Sequence, residues 1–264
     1  MSEFPFDGRT VLVTGVDERL GYATAKRLAT DGATVIVHAQ DKELADYALE
    51  RLIADGAQAR QVRSVHAAFT ELAEVDELAG LLAATVPALD ALINAAAMPG
   101  LPRRSHTADG NELTLQFNYL APQRLTFALV TALARARGRV VNVGGNIDYS
   151  DLDRNRGIYT PMSVYAQSKL ALTMFTRTLA ETGPTGLTAI SVSPAGFELD
   201  MPQLRSHATA PVEGAADLLA LLSAASTPVV NGGYYDGIEE AKPAALVRNS
   251  RARARLAAWS RQPA

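Results

Sequence analysis

Short β-branched runs alternate with long amphipathic stretches from the first residues of this chain almost to the last, and that alternation leaves few folds open. Thr10–Thr14 reads as a strand, Leu20–Thr30 as a helix stopped by Asp31-Gly32, Thr34–Val37 as a strand and Lys42–Ala54 as a helix closed by Asp55-Gly56. Strand-like Gln61–Val65, helical Leu72–Thr85 and strand-like Ala88–Ile93 continue the pattern. A long helix follows over Asn111–Arg137, then a very apolar strand at Arg139–Val143, a helix over Ser163–Leu179 and a strand at Thr188–Val192. A helix near Glu213–Ala225 and a short strand near Gly233–Tyr235 complete it. Parallel strands joined through helices need right-handed crossovers, and the helices then cover both faces of the sheet. The expected fold is α/β: a single Rossmann-type doubly wound parallel sheet of about seven strands, with residues 1–264 forming one domain.

Three long polar stretches, Pro99–Gly110, Asn146–Thr160 and Phe197–Pro211, each follow a predicted strand. They therefore hang over the carboxyl edge of the sheet, where open α/β folds bind ligands. The rest of the composition excludes more than it selects. A net charge of −3 with 20% charged residues offers no field for nucleic acid or an anionic membrane. The basic cluster from Arg248 to Arg255 is spaced through alanines and reads as the wet face of a terminal helix. With no cysteine, thiol catalysis, disulfides and cysteine–zinc sites are excluded. His38, His66, His106 and His207 lack metal-ligand spacing, so no metal site is expected. The acidic N-terminus has no apolar core of a signal peptide, and no uncharged apolar run is long enough to span a bilayer. The expected location is the cytoplasm.

Chemistry enters at Tyr165-Ala-Gln-Ser-Lys169. Residues four apart share a helix face, with Cβ atoms about 5–6 Å apart. A free tyrosine titrates near ~10. An ammonium at that range lowers this by roughly two to three units, which suits a tyrosine to proton transfer with a carbonyl or alcohol oxygen. The other local signal is the glycine turn Thr14-Gly15-Val16-Asp17-Glu18-Arg19-Leu20-Gly21, between the first strand and first helix. Such a turn lets backbone N–H groups and the helix N-terminus meet a pyrophosphate.

Together these segments resemble the short-chain dehydrogenase/reductase family, more closely its retinol-dehydrogenase-like branch, over nearly the whole chain. Thr14-Gly15 with Leu20-Gly21 is similar to the family's cofactor loop. Asp109-Gly-Asn-Glu112-Leu113, running on to Asn118-Tyr-Leu120, resembles a branch signature, and Ser193-Pro194-Ala195-Gly196 resembles the loop lining the nicotinamide. Gly232–Asp236 and Leu256–Trp259 resemble the branch's C-terminal signature. The resemblance implies Tyr165 as acid/base, Lys169 as the cation that lowers its pKa and holds the nicotinamide ribose, and Asn118 as support for that lysine. It implies cofactor contacts from Gly15, Arg19, Leu20, Gly21, Gln40, Asn94, Lys169 and Pro194. It also implies a homodimer or homotetramer acting on a small-molecule substrate.

Several positions depart from the family. Arg19 stands in place of a glycine, Ala68 in place of an adenine-contacting aspartate, and Asn94-Ala-Ala-Ala97 in place of Asn-Asn-Ala-Gly. Gly144-Gly145 replaces a serine pair whose second member donates to the substrate oxygen. Asn146 and Ser163 are the nearby side chains able to substitute for it. At the end of the second strand Ala39 takes the place of the carboxylate an NAD enzyme uses, and Gln40 that of an NADP enzyme's arginine. Arg19 is then the cation for a 2′-phosphate, which tips the expectation from NAD towards NADP, and Asp41 reads as a helix N-cap. The leading expectation is hydride transfer between NADP(H) and a ketone or secondary alcohol of a small organic substrate, a secondary metabolite among the candidates. The rival is a member that has left redox chemistry as a cyclase, dehydratase, isomerase or binding subunit, with or without its dinucleotide.

Overall fold

The computed structural model describes residues 6–146, 159–194 and 212–261. Its first half alternates strand and helix: β1 (Thr10–Thr14), α1 (Arg19–Thr30), β2 (Thr34–Ala39), α2 (Lys42–Ala54), β3 (Val62–His66), α3 (Leu72–Thr85) and β4 (Ala91–Asn94). Next come a one-turn α4 (Leu113–Leu115), a π-helical turn over Gln116–Leu120 and α5 (Ala121–Ala136), in place of the single uninterrupted helix expected there. Then follow β5 (Arg139–Val143), α6 (Pro161–Thr182), β6 (Thr188–Ser193), α7 (Val212–Ser223) and β7 (Tyr234–Asp236). The chain closes with β8 (Glu239–Ala241), α8 (Ala245–Arg248) and α9 (Ser250–Trp259).

The strands form one sheet in the order β3-β2-β1-β4-β5-β6-β7-β8, parallel as far as β7. Among the described residues it has eight strands rather than about seven. The addition, β8, pairs antiparallel with β7 across Gly237-Ile238, where Gly237 takes a positive φ of 62°. Its Glu-Glu-Ala sequence has no apolar alternation, as suits a short exposed edge.

Successive strand residues point to opposite faces, and two cores result. Leu12, Ile36, Leu92, Val140 and Ala189 pack with α3, α5 and α6 on one face. Val13, Val37, Ile93, Val141 and Ile190 pack with α1, α2 and α7 on the other. Both faces are covered, which is why the strands read as continuous apolar runs. At the C-terminus, Arg253 departs from the expected wet face. It is buried, and donates to the Val247 carbonyl at 2.6 Å and to Glu181 at 2.5 Å.

His38 on β2 is fully buried, its ring stacked on Phe69 at 4.4 Å. Its Nε2 lies 3.1 Å from the Ala67 carbonyl, which can only accept, so Nε2 carries the hydrogen and Nδ1 is left without a partner. Burial pushes its pKa down to about 4 from the usual 6.5. The unfolded chain therefore binds the extra proton first. The contribution of neutral His38 is intact above about pH 6.5 and lost as pH falls towards 4, by at most about 3 kcal/mol. Denaturant midpoints at pH 7 and pH 4.5 should accordingly lie closer together in His38→Gln than in wild type. Equal differences in the two proteins would rule out the histidine as a source of acid sensitivity.

Candidate active site at the carboxyl edge of the sheet

Because β1 is flanked by β2 and β4, the chain reverses its winding direction there and opens a crevice beyond the strands' carboxyl ends. The loop after β1 is tied to the end of β2: the Gly15 and Val16 N–H groups both donate to the His38 carbonyl, at 2.9 and 3.0 Å. It also touches the loop after β4, where Ala96 N–H donates to Thr14 Oγ1 at 3.3 Å. Gly15 has a positive φ of 75°, and a Cβ there would lie 2.5 Å from Ala96 Cα. Its missing side chain thus makes room for Ala96 as well as for the turn. A Cβ at Gly21 would lie 2.1 Å from the Gly15 carbonyl oxygen, so that glycine seats α1 on the loop. Leu20 is buried, and Arg19 is exposed at the first position of α1.

The helix that carries the pair begins with a reciprocal cap. Thr160 Oγ1 accepts from Ser163 N–H, and Ser163 Oγ accepts from Thr160 N–H, with Pro161 in the first helical turn. Tyr165 and Lys169 lie one turn apart along it, both buried, with the ammonium 5.7 Å from the phenol ring centroid. Lys169 Nζ donates to the Val143 carbonyl at the end of β5, at 3.0 Å. Burial pulls the lysine down to about 8, and the nearby Glu18 carboxylate acts against that. The expectation that Lys169 lowers the tyrosine pKa does not hold here. Burial raises the Tyr165 phenol above its ordinary value, and Glu18 adds to the rise.

Other expected site residues have commitments that sequence does not disclose. The Asn94 amide is buried in the sheet, its Nδ2 donating to Asn142 at 2.7 Å and Thr126 at 3.2 Å and so bracing β4 against β5 and α5, while its Oδ1 is left without a partner. Asn118 lies in the π-helical turn. It accepts from Met98 N–H at 2.7 Å and donates to the Met98 carbonyl and to Ser168 Oγ. It therefore reaches the lysine helix one residue short of Lys169, and its support is indirect. Gln40 accepts from Phe69 N–H at 2.9 Å, leaving its buried Nε2 without a protein partner. Asp41 caps α2 through Leu44 N–H at 2.8 Å, as expected. Pro194 is half-buried at the edge, while Ala195, Gly196, His207 and the loop Phe197–Pro211 lie outside the described residues, as do residues 147–158 of the second loop.

Neither substitute for the missing serine is available. Asn146 accepts from Ala244 N–H and donates to the Lys242 carbonyl, and Ser163 Oγ is spent on the cap, donating to the Thr160 carbonyl at 2.9 Å. The glycine pair itself has a packing cause. A Cβ at Gly144 would fall 2.2 Å from Ser191 Oγ and 2.4 Å from Thr173 Oγ1, hydroxyls bonded to each other at 2.9 Å. At Gly145 the nearest atom would be Lys169 Cβ, at 3.0 Å. Thr173 and Ser191 were not singled out from sequence, because they meet from α6 and β6 only in the fold. A serine is therefore excluded at position 144, and at position 145 it requires Lys169 to give by a few tenths of an ångström. Gly144→Ser should lower the thermal midpoint sharply, a loss of about 1–3 kcal/mol or more for an overpacked buried site, while Gly145→Ser, with its single close contact, should cost clearly less. Similar midpoints for both variants would contradict this packing.

The crevice has features that fit a dinucleotide. These are an α1 N-terminus with no side-chain cap, an orphaned buried donor at Gln40 and a buried lysine beside the tyrosine. Among the described residues no group of three or more histidines, cysteines, aspartates and glutamates could hold a metal ion, and no helix is long and apolar enough to cross a membrane.

Known proteins resemble this chain in sequence and fold. The sequence model of the short chain dehydrogenase family matches residues 9–209. Retinol dehydrogenase 13 of Mus musculus is 29% identical, over 92% of this chain and 79% of its own length. Polyprenol dehydrogenase of Mus musculus is 30% identical, over 96% of this chain and 82% of its own. Among solved structures, the RhlG/NADP active-site complex of Pseudomonas aeruginosa superposes with a TM-score of 0.70 at 25% identity, covering 89% of this chain and 97% of that one. The chain thus belongs to the short-chain dehydrogenase/reductase family of oxidoreductases, on its retinol-dehydrogenase-like side.

Proposed function

We propose that the protein reduces a ketone of a small organic molecule to the secondary alcohol with NADP(H), Tyr165 acting as general acid. One observation carries this reading: Tyr165 and Lys169 are buried together at the crevice, one helical turn apart, with the ammonium 5.7 Å from the phenol ring centroid. A phenol that keeps its proton at neutral pH is set to give it to a carbonyl oxygen, the protonating half of a reduction. A nicotinamide held in the crevice would supply the hydride for the carbonyl carbon. Tyr165 Oη donates its proton to the oxygen, and the Lys169 ammonium faces the phenolate left behind until solvent returns a proton. Asn118 acts one step removed, by fixing Ser168 and the loop at Met98.

NADP rather than NAD is supported by Ala39, by the unsatisfied Gln40 amide at the end of β2 and by Arg19. It is opposed by Asp17 and Asp41. Burial raises the Asp17 pKa, backbone N–H groups of Asp17 and Gln40 draw it down, and Asp41 nearby raises it further. Action as a homodimer or homotetramer is part of the same reading and rests on the family likeness, and a cytoplasmic location is proposed alongside it. The non-redox rival draws support from the glycine at position 145 and from the commitments of Asn146 and Ser163, which leave neither side chain as a serine-like donor.

Two variants test the reading. Tyr165→Phe should lose at least ~10²-fold in turnover, the scale of general-acid catalysis, with little change in thermal midpoint. Turnover near that of wild type would remove Tyr165 from the chemistry. Arg19→Ala should weaken NADPH binding by about 1.5–3 kcal/mol, the range for hydrogen bonds to charged groups, and leave NADH nearly unchanged. Equal losses for both would shift Arg19 to the pyrophosphate, and no loss for either would withdraw its support for NADP.

A further inference from the structure

Glu18 occupies the N-cap position of α1, yet its side chain makes no capping bond. A carboxylate there would ordinarily turn back onto the first helical N–H groups, where the dipole favours it. Instead it reaches across to the loop after β4, where it accepts a hydrogen bond from Ala97 N–H at 2.9 Å. Glu18 follows β1 and Ala97 follows β4, and these adjacent strands bound the crevice at which the sheet reverses its winding. The bond therefore runs from one lip of that crevice to the other. It lies apart from the tighter contacts behind it, where Thr14 and Gly15 meet Ala96. The carboxylate also lies close enough to act on the pair, adding to the burial that raises Tyr165 and opposing the burial that lowers Lys169.

From this we infer that Glu18 is a displaceable latch across the cofactor crevice, and that its carboxylate must leave Ala97 before a dinucleotide can seat. The inference rests on reading this crevice as a nicotinamide dinucleotide site. Like charges repel at close range, all the more where protein replaces water, so a pyrophosphate and the Glu18 carboxylate compete for one mouth. The helix start beside them attracts either one: its dipole end lacks a side-chain cap, and Arg19 adds a cation. Breaking the latch sets back every dinucleotide alike. It spans β1 and β4, whereas NADP and NAD differ at the ribose near the end of β2. Glu18 thus tunes affinity for the cofactor class, and the residues around Gln40 tune the choice within it.

The test is a titration of wild type, Glu18→Ser and Glu18→Gln with NADPH and with NADH, followed by nicotinamide fluorescence, with a thermal midpoint for each protein to show that it is folded. The latch predicts that Glu18→Ser binds both cofactors about ten- to a hundredfold more tightly, the range of a hydrogen bond to a charged group. Glu18→Gln, which keeps the reach without the charge, should gain in the same direction. Tight binding only in the variants, with none in wild type, would support it most strongly. Unchanged or weaker binding by folded variants, with wild type binding measurably, would overturn the latch and leave the oxidoreductase reading standing. No binding by any of the three would overturn both. A gain for one cofactor alone would overturn the latch in favour of a role at the ribose.

Discussion

The pairing of β1 with β2 on one side and β4 on the other is the constraint on which the remaining structure depends. Once the chain has wound β1, β2 and β3 outward, it must cross back to the other side of β1, and the two loops leaving β1 and β4 diverge. Every site residue is placed relative to that divergence. The glycine turn and Glu18 form one lip, Ala95–Ala97 form the other, and α6 carries Tyr165 and Lys169 past the neighbouring end of β5. The lysine is tied there through the Val143 carbonyl. The sheet positions the chemistry by its order, with few direct contacts to the reacting groups.

A sheet covered on both faces also dictates how its polar side chains are used. Asn94, Asn142, Thr126 and Thr176 are all buried, and they bond to one another across β4, β5, α5 and α6, with only Asn94 Oδ1 of these groups left without a partner. The Thr173–Ser191 hydroxyl pair does the same between α6 and β6, with Gly145 donating to Thr173 at 3.1 Å. Buried polar groups left unpaired cost about 1–3 kcal/mol each, so these bonds constrain the neighbouring backbone strongly. The absent serine at position 144 follows from that economy, since two hydroxyls already fill the space. At Gly145 the crowding is milder, a Cβ there meeting Lys169 Cβ at 3.0 Å.

Local pattern carried most of the architecture, because strand and helix periods, Asp-Gly stops and the apolar runs of a doubly covered sheet are properties of short segments. It stopped where structure depends on distant partners. The strand at Glu239–Ala241 has no apolar period and exists only by pairing with β7. The π-helical turn at Gln116–Leu120 interrupts an otherwise helical pattern at Asn118, whose partners are Met98 and Ser168. Spacing places Tyr165 beside Lys169 correctly. It does not reveal that burial, with the Glu18 carboxylate, raises the tyrosine, because both belong to the assembled fold. The Glu18–Ala97 bond joins residues 79 positions apart, and nothing in either segment alone announces it.

The central claim is that this site moves a hydride to a carbonyl while Tyr165 supplies the proton. It is tested most directly by isotope transfer. The protein would be incubated with NADPH deuterated at nicotinamide C4, in each of the two stereoisomers, and with a panel of ketones, and the products analysed by mass spectrometry. The account predicts a secondary alcohol carrying one deuterium at the carbinol carbon from one stereoisomer, with stoichiometric formation of NADP⁺. A substrate converted without deuterium uptake from either stereoisomer, or without cofactor oxidation, would contradict it and establish non-redox chemistry at the same site.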